Sequence, residues 1–221
     1  MKKLLWFAIP MLTLLLTGCS EDGEISVTNG TQGWMNVTID GDGPIELAPD
    51  ETVSKSWSLA TSIFGDDSQD IDLHYTGLFI FSGMRSYSIK AGYHKYVTLD
   101  ADGGAIRVFN TSAAYTITEV YISPNSDTEW GDNDLSGDIG PGGSATWTVS
   151  PGIWDIRVVD NLNEEYTLFG LNIILGSIFS YYYPGFGAIS GLEDIKSAAQ
   201  PSALNLTPRV QQIYDPSPPA R

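Results

Sequence analysis

The sequence predicts an all-β protein built from two tandem small antiparallel β-sandwich (Ig-like) domains, and three observations predict it. Apolar and polar residues alternate in short runs, turn residues punctuate those runs, and the two halves of the chain resemble each other. Length and composition agree. The 221 residues with 42% hydrophobic content are enough for one or two cores, while 23 Gly and 12 Pro cut the apolar content into short segments. No comparably long helical stripe occurs before residue 188.

In chain order the first element is a targeting segment. Lys2 and Lys3 precede an apolar run from Leu4 to Leu16 that is short for a bilayer span and ends in small residues, so residues 1–18 read as an export signal. The quartet Leu16-Thr17-Gly18-Cys19 resembles the lipobox of bacterial lipoproteins. That resemblance implies cleavage before Cys19 and acylation of its thiol and new amine. Membrane attachment then comes from acyl chains, at about 0.8 kcal/mol per buried CH₂. Cys19 is the only cysteine, which leaves none for a disulfide, a zinc site or a thiolate nucleophile. Ser20 beside it resembles lipoproteins sent on to the outer membrane, and Glu21 and Asp22 resemble an acidic surface-export tether. The expected location is the outer membrane, lipid-anchored, on the periplasmic or the cell-surface face, with residues 19–24 as a lipidated tether.

Loss of the signal removes two cations and leaves 9 Lys and Arg against 27 Asp and Glu, a formal charge of −18. Such a body is repelled by phosphate backbones and anionic headgroups, so nucleic acid is not an expected partner.

Residues 25–100 form the first expected sandwich. "MNVTI" puts Met35, Val37 and Ile39 on one face, and "DIDLHY" does the same with Ile71, Leu73 and Tyr75. Residues 106–183 form the second, where "ATWTV" aligns Ala145, Trp147 and Val149. The turns Gly41-Asp42-Gly43-Pro44, Pro141-Gly142-Gly143 and Pro151-Gly152 separate the runs. "ISVTNGT" from Ile25 matches "IRVFNTS" from Ile106, and "DIDLHYTG" from Asp70 matches "DIRVVDN" from Asp155. The pair Pro49/Trp57 matches Pro141/Trp147. Drifting offsets place insertions in loops while strand order is kept. Residues 184–221, rich in proline near their end, read as a mostly disordered tail in which Val210, Ile213 and Tyr214 could dock.

The second half also resembles a β module that recurs in bacterial exported proteins and lipoproteins, mostly uncharacterised. The resemblance rests on Asn110-Thr111-Ser112, Tyr121 to Pro124, Trp130 to Gly137, Pro141 to Ser144, and Trp154 to Asp160. It covers about a third of the chain and implies a small β-sandwich. It implies no reaction.

The run "PNSDTEWGDNDLSGD", residues 124 to 138, is the candidate metal site, with Asp132, Asp134, Ser136 and Asp138 as oxygen donors for Ca²⁺. Counted as an EF-hand loop from Asp132, it has Gly137 at the sixth position but Gly143 where the bidentate Glu belongs. A loop of turn-capping, water-facing aspartates is the competing reading. Asp40 and Asp42 raise the same question, and Asp100 and Asp102 raise it at the domain junction. Catalysis has little to build on, since the chain holds only His74 and His94 and no Gly-x-Ser-x-Gly elbow. His74 shares a strand face with Asp70 and Asp72, as a metal-chelating pair or as a polar outer face. Trp57, Trp147, Trp154 and Tyr181 to Tyr183 supply either core or platforms for a glycan. The sequence therefore predicts a membrane-anchored envelope lipoprotein that acts as a structural or protein-interaction module, not an enzyme. Its expected partners are the membrane, through the anchor, and an envelope protein or glycan; a calcium-dependent or carbohydrate-binding surface module is the alternative.

Overall fold

The computed structural model describes residues 19–62, 65–185 and 209–213; the signal segment 1–18 lies outside them. Strands of the first half are β1 (Cys19–Asn29), β2 (Met35–Ile39), β3 (Asp42–Leu47), β4 (Thr52–Ser62), β5 (Gly65–Asp66), β6 (Ser68–Gly77), β7 (Ile80–Lys90) and β8 (His94–Leu99). The second half contains β9 (Gly104–Asn110), β10 (Ile117–Pro124), β11 (Ser144–Val149), β12 (Gly152–Asp160), β13 (Glu165–Ile173) and β14 (Ile178–Tyr183), and β15 (Val210–Ile213) comes last. The protein is all-β, as the alternation predicts.

Each half is a pair of facing sheets. The first pairs β5-β4-β1-β8 with β3-β2-β6-β7, and the second pairs β14-β9-β11-β15 with β10-β12-β13. In both, one edge strand runs parallel to the first strand of its half, β8 along β1 and β14 along β9, among otherwise antiparallel pairs. Inward residues meet between the sheets. Ile25, Val27, Met35, Val37, Ile71, Leu73 and Leu99 fill the first core, and Ile106, Val108, Ile117, Val120, Trp147, Ile156, Val158 and Tyr183 the second.

The duplication extends to single atoms. Asn29 ends β1 fully buried, its amide donating to the carbonyls of Gly33 and Leu47 while its Oδ1 accepts from the Thr31 N–H. Asn110 ends β9 in the same way, donating to Tyr115 and Ile139 and accepting from the Ser112 N–H. A carboxamide suits this position because it offers two donors and an acceptor where the strand's own ladder has stopped. The register corrects one sequence match. Ile25 faces Lys55 and Ile106 faces Trp147, so the counterpart of Trp147 is Lys55, and Trp57 lies two residues further along the same face.

Two further expectations are revised. Residues 19–24 are no free tether: they are the first half of β1, paired with Ser56 to Thr61 of β4. Gly23 allows this, since a Cβ there would lie 2.6 Å from the Lys90 carbonyl oxygen. Within the expected tail 184–221, Val210–Ile213 is a strand, antiparallel to β11 on an edge that would otherwise offer unpaired backbone groups. Tyr214 lies outside the described residues.

The two sandwiches touch through a tight turn. Leu78 and Phe79, at the tip of the β6–β7 hairpin, pack with Ala105 and Ile213 beside Trp34 and Ala101. Phe79 holds a φ of +71°, unusual for a bulky side chain, while its carbonyl accepts the N–H groups of both Asp102 and Gly103 in the connection between domains.

Candidate functional site

The acidic run is best understood from what it replaces. In the first sandwich β3 pairs with β2, and Leu47 faces Met35. In the second, the only trace of that pairing among the described residues is one bridge between Ile117 and Ile139. Residues 125–138 run along β10 where the first sandwich has a paired strand, and two side chains and one backbone N–H make the bonds that a strand's backbone would have made. Asn133 Oδ1 accepts the Val120 N–H at 3.0 Å, Asp134 Oδ2 accepts the Ile122 N–H at 2.8 Å, and the Asp134 N–H donates to the Val120 carbonyl. Leu135 enters the core, and the Trp147 indole N–H donates to the Asp134 carbonyl.

This geometry separates the four proposed calcium donors. Burial pushes the Asp134 carboxyl above its ordinary range, against the Ile122 hydrogen bond and with the help of nearby Asp132. Ser136 is tied through its backbone to Gln212, and Asp132 and Asp138 are exposed. Among the described residues no three His, Cys, Asp or Glu side chains converge on a point where a metal ion would sit. Asp42 is paired with Lys55 at 2.6 Å, and Asp102 accepts the Phe81 N–H at 2.8 Å and faces Arg209. His74 lies on the outer face with Asp70 and Asp72, opposite buried Ile71 and Leu73; Asp72 accepts a hydrogen bond from Ser86.

His94 begins edge strand β8, where its Nε2 lies 2.7 Å from Ser26 Oγ. Glu24 faces the same nitrogen at 3.6 Å, so it does not orient the ring through Nδ1 as a catalytic triad requires. Ser26, only 5% exposed, also contacts Ser54, which leaves its Oγ closed to an incoming carbonyl.

Sequence reasoning missed two arrangements. The first is a stack on the outer face of the β10-β12-β13 sheet. The Arg157 guanidinium lies 4.2 Å from the Tyr121 ring and 5.4 Å from the Trp130 ring, and Trp130 reaches Phe169, itself 69% exposed. Glu165 faces the Arg157 head at 3.7 Å. Alternation along Tyr121, Arg157 and Phe169 could have placed all three outward, but the loop fold that brings in Trp130 has no periodic signal.

The second is the clasp at the junction. Arg209 stacks on Phe81 at 3.8 Å, and Gln211 accepts from the Ser82 N–H while donating to Thr76 and Ser82 hydroxyls. Gln212 accepts from the Ser136 N–H, and Ile213 enters the junction cluster. Five consecutive residues thus bond to the first sandwich, the second sandwich and the acidic loop together.

No family model matches the chain, and no curated protein matches it. Among solved structures it is similar to the TIE protein of Bacillus anthracis, with a TM-score of 0.27 and 10% identity over 74% of this chain and 34% of that one. It is also similar to a candidate cell adhesion protein from Bacteroides fragilis NCTC 9343, with a TM-score of 0.29 and 10% identity over 75% of this chain and 88% of that one. The chain spans about a third of the length of the first of these proteins.

Proposed function

We propose that this protein is a lipid-anchored envelope lipoprotein whose two sandwiches act as one stiff interaction module. The observation that carries the reading is the clasp: β15 joins both sandwiches and the acidic loop, as a module that must hold a recognition surface at a fixed attitude requires. The Trp130, Arg157 and Phe169 surface is the part it presents, large rings held in place by an ordered loop. Acylation at Cys19 would attach the first residue of β1 itself, so the first sandwich would stand directly on the membrane with no slack between. A calcium-dependent version of the reading has no converging donors behind it among the described residues.

The test is the mass of the mature protein extracted from membranes. The reading expects a polypeptide starting at Cys19 and heavier by a diacylglyceryl and an N-acyl group, and a Cys19→Ala chain without either. An unmodified N-terminus in membrane-extracted protein overturns the anchor.

A further inference from the structure

Unpaired positive charge is scarce in a chain of formal charge −16. Lys55, Arg157 and Arg209 sit against Asp42, Glu165 and Asp102. Arg85, Lys90 and Lys95 have no carboxylate within ion-pair distance among the described residues, and all three fall on β7 and β8. The stretch from Leu73 to Leu99 contains no Asp or Glu. β7 is the edge of one sheet of the first sandwich and β8 the edge of the other, and Lys95 Nζ lies 5.6 Å from the Tyr87 ring, so the two strands border one flank.

A cleft of about 280 Å³ opens on that flank, lined by Ser88, Ile89, Lys90, Tyr93, His94 and Lys95. Its rim is pinned by backbone bonds. The Tyr93 carbonyl accepts the Glu24 N–H at 2.8 Å, the Tyr93 N–H donates to Lys90, and Ala91 donates to Asp67. Two rings stand open beside it, Tyr93 at 69% and Tyr96 at 73% exposure, with Tyr96 stacked on His94 at 4.0 Å. Three carboxylates border the patch: Glu24 against His94, Glu21 against Gly92 in the β7–β8 turn, and Asp70 across from Ser88 on β6.

Two ammonium groups, the exposed Tyr93 ring and the Ser88 hydroxyl within one small cleft match a sugar ring that carries an anion. The Tyr93 face covers the apolar side of the ring, the ammonium groups take the charge, and Ser88 reaches its hydroxyls. The cleft is close in volume to the smaller ligand pockets of proteins. The acidic body repels a continuous polyanion such as nucleic acid or an anionic bilayer, which leaves a ligand with discrete charges. We propose that the β7–β8 cleft binds an acidic saccharide, with Tyr93 stacking on the sugar and Lys90 and Lys95 holding its carboxylate or phosphate. The inference stands independently of the membrane anchor.

The test titrates the full chain, by calorimetry, with galacturonate, glucose 6-phosphate, neutral galactose, and vesicles of phosphatidylglycerol. Saturable binding of the uronate or the sugar phosphate is expected, and whichever binds identifies the anion. That binding should weaken with added salt and fall at least about tenfold in Lys90→Gln/Lys95→Gln and in Tyr93→Ala. Melting curves matching the wild type show that these surface variants are folded. The proposal is overturned if the neutral sugar binds as well as the charged one, if the variants bind undiminished, if neither acidic sugar binds, or if only vesicles do.

Discussion

Replacing Asn29 or Asn110 by alanine tests the duplicated architecture at its most specific point. In the first sandwich the substitution removes four hydrogen bonds: two from the amide to Gly33 and Leu47 at 2.7 and 3.0 Å, and two to Oδ1 from the Thr31 N–H and hydroxyl at 2.9 and 2.8 Å. In the second it removes three, to Tyr115 and Ile139 and from Ser112. Each bond contributes about 1 kcal/mol net, and the groups left behind are buried, so Asn29→Ala should cost about 3–5 kcal/mol and Asn110→Ala about 2–4. Against a usual domain stability of about 5–15 kcal/mol these are large effects. Urea unfolding followed by tryptophan fluorescence and by far-ultraviolet circular dichroism measures both. A loss under about 1 kcal/mol at either position would falsify the role given to these residues.

Three more perturbations have definite expected outcomes. The Tyr183 hydroxyl donates to Asp160 Oδ2 at 2.6 Å, and with the Leu162 and Glu164 N–H groups it outweighs burial and holds the Asp160 carboxyl below its ordinary range. A lowered folded pKa gives stability that is present above the unfolded value and lost as pH falls through the folded one. Asp160→Asn should therefore cost about 1–3 kcal/mol at neutral pH and progressively less below about pH 4, and a loss equal at pH 3 and pH 7 refutes this. Asp134 is the opposite case, a carboxyl raised by burial, so its charged form is a penalty at neutral pH. Asp134→Asn keeps an acceptor for Ile122 and should be at least as stable as the wild type at pH 7, with the advantage fading on acidification; in both chains the melting temperature should not respond to millimolar Ca²⁺ or to chelator, and a calcium-dependent rise in the wild type contradicts the loop assignment. At Phe79, φ is +71°, so Phe79→Gly should be more stable than Phe79→Ala by about 1 kcal/mol although it removes more atoms; the reverse order contradicts the strain.

Much of the fold was legible because strand period and turn chemistry are local. A turn is expected at Gly41-Asp42-Gly43-Pro44 and occurs one residue earlier: Asp40 and Gly41 hold positive φ between paired Ile39 and Asp42, while Asp42 to Pro44 already belong to β3. The repeat was legible through Asn29 and Asn110, whose side-chain bonding shapes the turn at the end of each strand. Trp57 and Trp147 misled because alternate residues share a face, so a match in residue type two positions out of register looks the same in sequence. The role of residues 125–138 was hidden because it consists of side chains replacing an absent strand, which no spacing rule encodes. β15 was hidden for a related reason: four residues pair with an edge more than sixty positions earlier in the chain, and their side-chain partners Ser82 and Ser136 lie on two further separate segments. Arg85, Lys90 and Lys95 are plain in the sequence, but only the sheet order places β7 and β8 on one flank.

The most direct test of a clasped two-sandwich body is the distance distribution between spin labels placed at exposed Ser58 and Asn172 in a Cys19→Ala chain. A single narrow peak is predicted, broadening when Gln211→Ala and Ile213→Asp open the clasp. A broad distribution in the parent chain, or one unchanged by those substitutions, contradicts the account.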